Sequence, residues 1–295
     1  MISVIISSAN RKLLDQVILN IELTIGVPYE IISFDNGKGE MGICEVYNRG
    51  AERAKYDILC YMHEDLKLAT LDWGKEIVRL FKQRQDIGII GVAGGAYKPY
   101  APSGWAGISY EVDLIFCNFL QSSKYNSLPA VLHNVNPRNA SESDVVCVDG
   151  MWFCTLKKIV LQFPFDEHLL KRFHGYDIDF CLNVSLHYRV VVTFNILMEH
   201  FSEGGYSHEW LEETLKVHEK WNDSLPRRVN EVSERQRTLI EKRTYKWLIE
   251  KLVAMGYPMT SIFTFLMKYF KRKKISFSLY LKLLFYAFKY HVKIK

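Results

Sequence analysis

Two adjacent carboxylates follow an apolar run and are well placed in this sequence to bind a cation. The run extends from residue 56 to residue 62, and His63, Glu64 and Asp65 come directly after it. Such a run is typical of a strand inside a sheet, and open α/β sheets bind their ligands at the carboxyl ends of strands. Carboxylate oxygens suit Mg²⁺ or Mn²⁺ held against a phosphate. The alternative is a strand that ends in a solvated acidic turn.

A second pair of carboxylates, Asp177 and Asp179, follows Gly175 at the predicted start of a helix. Residues two apart cannot lie on the same face of a helix. We therefore expect one carboxylate to project into a cleft and the other to cap or support the helix. We assign the cleft to Asp177 and the supporting position to Asp179.

These carboxylates need a sheet to position them, and the hydrophobic pattern predicts one. Strands and helices alternate with short links, which indicates an α/β fold with a mainly parallel sheet and right-handed crossovers. Gly26 is expected to stop the first helix, and Asp72 to cap the third. The predicted strands cover residues 2–7, 29–34, 56–62, 87–92, 144–148, 151–155 and 188–195, and the predicted helices 11–25, 42–54, 73–83, 177–186 and 208–221.

Two segments are predicted to lie outside this pattern. Residues 97–140 have weak periodicity and many aromatic and polar residues, and we interpret them as an excursion from the core. Residues 199–206 contain glycine and are interpreted as a loop. After Pro226 three further helices are predicted, over 227–255, 260–270 and 276–290. We therefore divide the chain into an α/β domain at 1–222 and a helical, basic extension at 223–295.

The charge of the chain is distributed unevenly. The net charge is +5, but residues 258–295 hold nine Lys or Arg and no acid, so residues 1–257 carry −4. A mildly acidic main domain argues against nucleic acid as a partner. The basic, aromatic tail suggests contact with a membrane surface, and the alternative is a helical bundle that packs on the main domain.

Cysteine usage and the N-terminus indicate a cytoplasmic protein. The six cysteines show no C-x-x-C spacing, so neither a disulfide framework nor a zinc site is expected. The first residues, Met1-Ile2-Ser3-Val4, begin a strand directly and lack the features of a signal peptide. No apolar run of about 18 residues predicts a membrane-spanning helix.

In order and spacing, six short segments resemble glycosyltransferase family 2, whose fold is called GT-A. The match covers about residues 1–205, and the tail lies outside it. The resemblance indicates a non-processive, bacterial-type member. The six segments are Ser3-Val4-Ile5-Ile6, Glu30-Ile31-Ile32-Ser33-Phe34-Asp35, Val46-Tyr47-Asn48-Arg49-Gly50-Ala51, His63-Glu64-Asp65, Val148-Asp149-Gly150, and Phe165-Asp166-Glu167 followed by Gly175-Tyr176-Asp177-Ile178-Asp179-Phe180.

The resemblance implies roles for individual residues. Asp65 would bind the metal and His200 would complete its site. Asp177 would be the general base that deprotonates the acceptor hydroxyl. We also place Asp35, Asn48, Glu64 and Asp65 at the donor, and Trp105 and Asp179 at the acceptor. The aromatic residues Tyr97, Tyr100 and Tyr110 are further candidates to stack on a sugar.

The sequence departs from the family pattern at three positions. His63 replaces the first acid of the usual acidic triplet, Tyr176 replaces the Glu of the usual Glu-Asp pair, and Asn183 stands where an Arg is usual. We interpret His63 as an ordinary strand-end histidine rather than a ligand. The sequence also lacks a Gln-x-x-Arg-Trp element, which argues against a processive polysaccharide synthase.

The expected activity is a metal-dependent, inverting transfer of one sugar from a nucleotide diphosphate, such as a UDP-sugar, to a hydroxyl of a glycan or lipid-linked acceptor. The expected cofactor is Mn²⁺ or Mg²⁺, and the expected location is the cytoplasm, at the inner face of the membrane. Two alternatives remain: a catalytically inactive sugar- or nucleotide-binding protein of the same fold, and a sugar nucleotidyltransferase. The second needs a Gly-rich basic loop after the first strand, and Ser7-Ser8-Ala9-Asn10-Arg11 is not one.

Overall fold

The computed structural model describes residues 1–108, 112–123, 129–202 and 205–294. The strands are β1 (Ile2–Ser8), β2 (Tyr29–Asp35), β3 (Ile58–Met62), β4 (Leu66–Leu68), β5 (Ile87–Gly91), β6 (Ala93–Gly95), β7 (Tyr97–Lys98), β8 (Ile115–Ser122), β9 (Val131–Val135), β10 (Glu142–Val145), β11 (Cys147–Val148), β12 (Trp152–Leu156), β13 (Arg189–Thr193), β14 (Met198–Phe201) and β15 (Arg227–Arg228). The helices are α1 (Arg11–Thr24), α2 (Ile43–Arg53), α3 (Trp73–Gln83), α4 (Lys157–Gln162), α5 (Tyr176–Val184), α6 (His208–Lys220), α7 (Glu234–Ala254), α8 (Met259–Lys271) and α9 (Phe277–Ile294), with a short 3-10 helix at Val112–Leu114.

The main sheet is mixed and mainly parallel, as the sequence predicts. Within the described residues it has seven strands in the order β10-β13-β5-β12-β3-β1-β2. Strands β1, β2 and β3 are mutually parallel, and β5 and β13 run the same way because the antiparallel β12 lies between β3 and β5. The carboxyl ends of these strands therefore meet at one edge of the sheet, and the start of β12 joins them there.

Continuous apolar runs form the central strands because helices cover both faces of the sheet. Successive side chains of a strand point to opposite faces. In β1, Ile5 packs into one core layer while Val4 and Ile6 pack into the other. Strand β3 alternates in the same way, with Tyr61 in the first layer and Met62 in the second. This double burial is the physical reason that these strands can be recognised in the sequence.

Two segments predicted to be irregular, residues 97–140 and 199–206, contribute strands to a second sheet. Its order is β11-β6-β8-β14-β4, with β9 paired to β8, within the described part of the chain. Residues 97–140 therefore include β8, which pairs with β6, β9 and β14. The predicted loop at 199–206 begins with β14, and the strand predicted at 144–148 is two short strands that belong to different sheets. These pairings join segments distant in sequence, so local periodicity does not reveal them.

The helix ends give one confirmation and two corrections. Gly26 follows the end of α1 with φ of 66°, the left-handed conformation that glycine adopts at low cost. Asp72 precedes α3, but its side chain accepts no capping hydrogen bond. Helix α7 begins at Glu234 rather than near residue 227, because Ser233 and Gln236 form a capping box there.

Helices α7, α8 and α9 share an apolar cluster of their own. Leu248 of α7, Leu266 of α8 and Leu283 of α9 are buried in it, and Trp210 of α6 packs into the same cluster. The carboxylate of Glu241 in α7 accepts hydrogen bonds from the Tyr97 hydroxyl and from two backbone N–H groups of residues 100 and 101. The division between residues 222 and 223 stays a prediction. Among residues 1–108, 112–123, 129–202 and 205–294, no helix is long and apolar enough to cross a membrane.

Candidate active site

A carboxylate and two imidazoles converge at the carboxyl edge of the main sheet. Strand β3 ends at Met62, so His63 and Asp65 extend beyond the edge. Nδ1 of His63 lies 3.9 Å from Oδ1 of Asp65. Nε2 of His200 lies 3.6 Å from the same oxygen. The ligand atoms of these three residues, the metal trio, all lie within 4.8 Å of one another.

Strand β14 brings His200 to this edge. It pairs antiparallel with β4, so that His200 is opposite Leu66. The N–H of Phe201 donates a hydrogen bond of 3.0 Å to the carbonyl oxygen of Asp65. The backbone ladder therefore fixes the approach of the histidine to the carboxylate. The sequence prediction places His200 in a loop, but the structure places it on a strand beside Asp65.

The hydrogen bonds of Tyr176 indicate which nitrogen of His63 is available to bind a metal beside Asp65. The Tyr176 hydroxyl donates its single proton to the carbonyl oxygen of Gly150, at 3.0 Å. The same hydroxyl lies 3.0 Å from Nε2 of His63 and can only accept there. In the neutral tautomer that matches this pattern, His63 has its proton on Nε2 and the lone pair of Nδ1 faces Asp65. An outer partner of this kind is how proteins orient a metal-binding histidine.

The trio fits a divalent transition metal better than Mg²⁺. Imidazole nitrogens suit first-row transition metals, whereas Mg²⁺ prefers an all-oxygen shell. Two imidazoles and one carboxylate leave coordination positions open for the oxygens of a ligand. His63, interpreted from sequence as an ordinary strand-end histidine, is one of the three. The signal was present, because side chains two residues apart on an extended chain point to the same side.

Asp177 lies on the first turn of α5, directly after Tyr176, whose hydroxyl contacts His63. Its Oδ2 accepts a hydrogen bond of 3.1 Å from the N–H of Gly150. The side chain is half-buried. This burial, together with the nearby carboxylate of Asp149, raises the pKa of Asp177 to about 7. A carboxylate with that pKa can take up a proton near neutral pH.

Asp179 is directed away from this edge. It is 2% exposed. One carboxylate oxygen accepts a hydrogen bond from Trp221 Nε1 at 2.7 Å, and the other lies 2.9 Å from the ammonium of Lys220. Gly175, not Asp179, occupies the N-cap position of α5. Asp179 therefore links α5 to the end of α6, and its placement at the acceptor stays a prediction.

Glu64 stabilises the loop that follows β1. Its carboxylate accepts hydrogen bonds from the Ser8 hydroxyl at 2.6 Å, from the Ala9 N–H at 3.2 Å and from the Asn10 N–H at 3.1 Å. The end of β1 is thereby attached to the end of β3. Glu64 can thus act on a donor through the shape of this loop.

The other two residues predicted at the donor, Asp35 and Asn48, differ in how many hydrogen bonds their side chains make within the protein. Asp35 ends β2 and is exposed, and its Oδ1 accepts one bond of 3.3 Å from the N–H of Gly37. The side-chain amide of Asn48 donates a hydrogen bond to the carbonyl oxygen of Phe165 and accepts one from the Phe165 N–H. It also donates to the carboxylate of Glu167 at 2.8 Å. Asn48 therefore holds the 165–167 segment against α2, and Asp35 keeps a carboxylate available to a ligand.

Space for a ligand adjoins Asp65 on two sides. One pocket of about 210 Å³ lies between the strand ends and α2 and is lined by Ser7, Ala9, Ile43, Tyr47, His63, Glu64, Asp65 and Phe173. A second, of about 880 Å³, lies between α1 and β14 and includes Asn10, Asp65, Lys67, Ser123 and Phe201 in its lining. The first opens where the parallel strands end, which is the usual ligand position in such sheets.

Three of the aromatic residues predicted at the acceptor pack against other side chains of the protein. Trp105 is half-buried against both core layers. The Tyr97 hydroxyl lies 3.0 Å from the Glu241 carboxylate, and the ammonium of Lys274 lies 4.6 Å from the centre of the Tyr100 ring. Tyr110 lies outside the described residues. The acceptor role of Trp105 stays a prediction.

Comparison with known proteins gives a family match and a fold match. The model of the family described as "Glycosyltransferase like family" matches residues 3–225. No curated protein matches the sequence. A solved structure described as "Crystal structure of GalNAc-T7 with UDP, GalNAc and Mn2+" is 14% identical with a TM-score of 0.50, and the match covers 88% of this chain. This chain spans only 58% of that neighbour. A second, described as "Crystal Structure of A197 from STIV", is 11% identical with a TM-score of 0.39, and the match covers 68% of this chain and 86% of the other.

Proposed function

Because the chain belongs to the glycosyltransferase-like family and has the GT-A fold, we propose that it is a metal-dependent, inverting, non-processive glycosyltransferase. The donor is a nucleotide-diphosphate sugar, and UDP is the nucleotide that we favour. The acceptor is a hydroxyl of a glycan or of a lipid-linked sugar. We expect the protein to work in the cytoplasm, at the inner face of the membrane.

The observation that carries this proposal is the metal trio, which Tyr176 and Gly150 connect to Asp177 through hydrogen bonds. The trio has ligand atoms within 4.8 Å of one another, and Asp177 has a pKa of about 7. Sugar transfer from a diphosphate needs both functions, because negative charge develops on the leaving group while the acceptor loses a proton. A structural neighbour described with UDP, GalNAc and Mn2+ supports the same ligand class.

His63, Asp65 and His200 would hold the divalent ion. When bound, the ion supplies a Lewis acid that stabilises charge on the diphosphate oxygens. The two imidazoles favour Mn²⁺ over Mg²⁺. Tyr176 orients His63 through Nε2, at 3.0 Å, so that Nδ1 remains a ligand.

Asp177 is the base in this proposal. The acceptor oxygen forms a bond to the anomeric carbon as the bond from that carbon to the diphosphate oxygen breaks, and the hydroxyl proton passes to the Asp177 carboxylate. The configuration inverts because the acceptor approaches on the face opposite the leaving group. A positioned base of this kind contributes about 10²–10⁴-fold to the rate.

The remaining side chains hold the donor and shape its site. Asp35 would bond the ribose or the base of the nucleotide from the end of β2. Glu64 would act through the loop at Ser8–Asn10, whose hydroxyl and N–H groups it fixes. Asn48 would keep the segment at residues 165–167 in position.

The test is donor hydrolysis and transfer with a panel of nucleotide sugars, each with Mn²⁺, with Mg²⁺ and with chelator. The proposal expects turnover of at least one donor, dependent on the divalent ion and lost in Asp177→Asn. Tight binding of a nucleotide sugar without turnover by the wild-type protein would instead identify an inactive binding protein. Release of pyrophosphate from a nucleoside triphosphate and a sugar phosphate would identify a nucleotidyltransferase.

A further inference from the structure

Helix α9 has one face that packs on the protein and one that does not. Tyr280, Leu283 and Ala287 are buried in the cluster that α9 shares with α7 and α8. The opposite face carries five large apolar side chains that are between 48% and 71% exposed. They are Phe277, Leu281, Phe285, Phe288 and Val292.

These five residues form one straight stripe, which we call the α9 stripe. Their spacings of four, four, three and four residues place them on the same side of a helix with 3.6 residues per turn. The helix has 18 residues, so it is about 27 Å long, and the stripe covers most of that length. An exposed apolar surface of this extent marks a binding surface, whereas single exposed apolar residues do not.

Lysines line a groove directly beside the stripe. The groove between α7 and α9 has a volume of about 690 Å³. Its lining contains five lysines and no acid, and its apolar part is shared with the stripe through Leu281 and Phe285. The lysines are Lys242, Lys246, Lys282, Lys289 and Lys293.

One acid lies next to the groove lining. Glu250 of α7 accepts a hydrogen bond from the hydroxyl of Tyr286, which lines the groove. Glu219 of α6 pairs with Lys268 and Arg272 of α8. Lys268 and Arg272 of α8 are therefore paired with α6, whereas Lys282, Lys289 and Lys293 of α9 are exposed beside the stripe.

We propose that the α9 stripe and its neighbouring lysines are a docking surface for an anionic lipid bilayer. A helix that lies in the membrane interface buries one apolar face among the acyl chains, and the lysines flanking that face contact the headgroups. Aromatic rings suit the depth of the headgroups, and each nearby lysine adds attraction to an anionic leaflet. An acidic protein partner would match the lysines but would leave the length of the apolar α9 stripe unexplained.

This inference rests on the surface alone and not on the proposed transferase activity. It also adds to that proposal, because a protein docked on a bilayer meets acceptors that are anchored in lipid. Binding is measured with vesicles that contain neither donor nor acceptor. A failed activity assay therefore leaves this test unaffected, and the reverse also holds.

The experiment is co-sedimentation of the full chain with vesicles of phosphatidylcholine alone and of phosphatidylcholine mixed with phosphatidylglycerol. We expect binding to the mixed vesicles that weakens as salt is raised. Phe285→Ser/Phe288→Ser should bind at least about 10-fold more weakly, since two exposed rings no longer enter the bilayer. Lys282→Gln/Lys289→Gln should lose about 30-fold on anionic vesicles.

Matched controls use residues of the same type on other surfaces. Leu161→Ser/Leu186→Ser removes two side chains that are 58% and 52% exposed, and Lys82→Gln/Lys158→Gln removes two exposed lysines. Both controls should bind like the parent, and all variants should keep its melting temperature. Equal vesicle binding by the parent and both α9 variants would overturn the proposal. The proposal would also be overturned if the parent did not bind vesicles and formed a dimer that Phe285→Ser/Phe288→Ser dissociates. The stripe would then be an interface between copies.

Discussion

The hydroxyl oxygen of Tyr176 lies 3.0 Å from Nε2 of His63, and this contact connects α5 to the metal trio. The same hydroxyl donates to the carbonyl oxygen of Gly150, whose N–H donates to Asp177. One residue therefore contacts a proposed metal ligand and also contacts the loop that holds the proposed base. A side chain at position 150 would collide with the Tyr176 hydroxyl, so glycine is required there.

Tyr176→Phe should weaken metal binding without unfolding the protein. The substitution removes only the hydroxyl, so the ring still packs against Tyr47. His63 loses the acceptor that fixes its tautomer, and outer partners of this kind contribute about 10–100-fold to metal affinity. Calorimetric titration of Mn²⁺ in the presence of UDP measures the change.

Tyr245→Phe is the matched control for that experiment. Tyr245 is buried in α7, and its hydroxyl has no hydrogen-bond partner among the described residues. Its substitution should leave Mn²⁺ affinity unchanged. Equal Mn²⁺ affinity of Tyr176→Phe and the parent would show that Tyr176 does not orient a ligand.

Removal of either proposed ligand should abolish metal-dependent donor binding. Asp65→Ala and His200→Ala each delete one of three ligands whose atoms lie within 4.8 Å. A carboxylate at a strand end contributes little to the core, so the melting temperature should change little. His187→Ala, an exposed histidine stacked on Phe163, is the control and should bind as the parent does. Unaltered Mn²⁺-dependent UDP binding by both ligand variants would exclude the trio as the metal site.

The central strands could be predicted because their burial is visible in composition. Strands β1 and β3 are apolar on both faces, since both faces of the sheet are covered. Strand β14 has no such signal, because Glu199 and His200 interrupt its apolar residues and its partners β4 and β8 are remote in sequence. The strand β8 does carry an apolar run, Ile115-Phe116-Cys117, and the surrounding polar residues obscured it.

The candidate site could be predicted only where its residues follow a local sequence signal. Asp65 and Asp177 follow local signals, namely a strand end and a helix start. The contact of Tyr176 with His63 spans 113 residues. The bonds of Glu64 to the β1–α1 loop span more than 50 residues. Nothing in local spacing distinguishes a carboxylate that supports a loop from one that binds a ligand.

Glu64→Ala should weaken donor binding by loosening the loop after β1. The variant leaves the Ser8 hydroxyl and the N–H groups of Ala9 and Asn10 without their shared acceptor. We expect a loss of about 1–2 kcal/mol in unfolding free energy and a comparable loss in UDP affinity. Glu22→Ala, an exposed glutamate on α1, is the control. Full retention of UDP affinity in Glu64→Ala would show that the loop does not shape the donor site.

Asp177→Asn and Asp179→Asn should separate catalysis from stability. Asp177→Asn keeps shape but cannot accept a proton, so turnover should fall by about 10²–10⁴-fold while UDP affinity is kept. Asp179→Asn weakens a buried pair with Lys220, at 2.9 Å, and should cost about 1–3 kcal/mol of stability with smaller effects on turnover. Steady-state rates at saturating donor and thermal unfolding measure the two effects. The opposite pattern would assign the base to Asp179.

The pKa of Asp177 predicts how both activity and stability depend on pH. Burial raises this pKa from 3.8 to about 7, so the folded protein binds the proton more tightly than the unfolded chain does. The resulting stabilisation is fully present below the unfolded pKa and is lost as pH rises through about 7. Activity has the opposite dependence, because only the ionised carboxylate can act as a base, and it should rise across the same interval.

Asp177→Asn tests this pH dependence without an activity assay. Asn is neutral at every pH, so the variant never places a charge at this half-buried position. Its melting temperature should therefore be higher, relative to that of the parent, at pH 8 than at pH 5.5. Thermal unfolding at both pH values measures this gain. Asp35→Asn, which changes an exposed carboxylate, is the control and should show no such gain. A constant difference between Asp177→Asn and the parent at the two pH values would mean that Asp177 is already ionised in the folded protein at pH 5.5. Their relative stability changes with pH only while the folded protein holds a proton that the unfolded chain has lost.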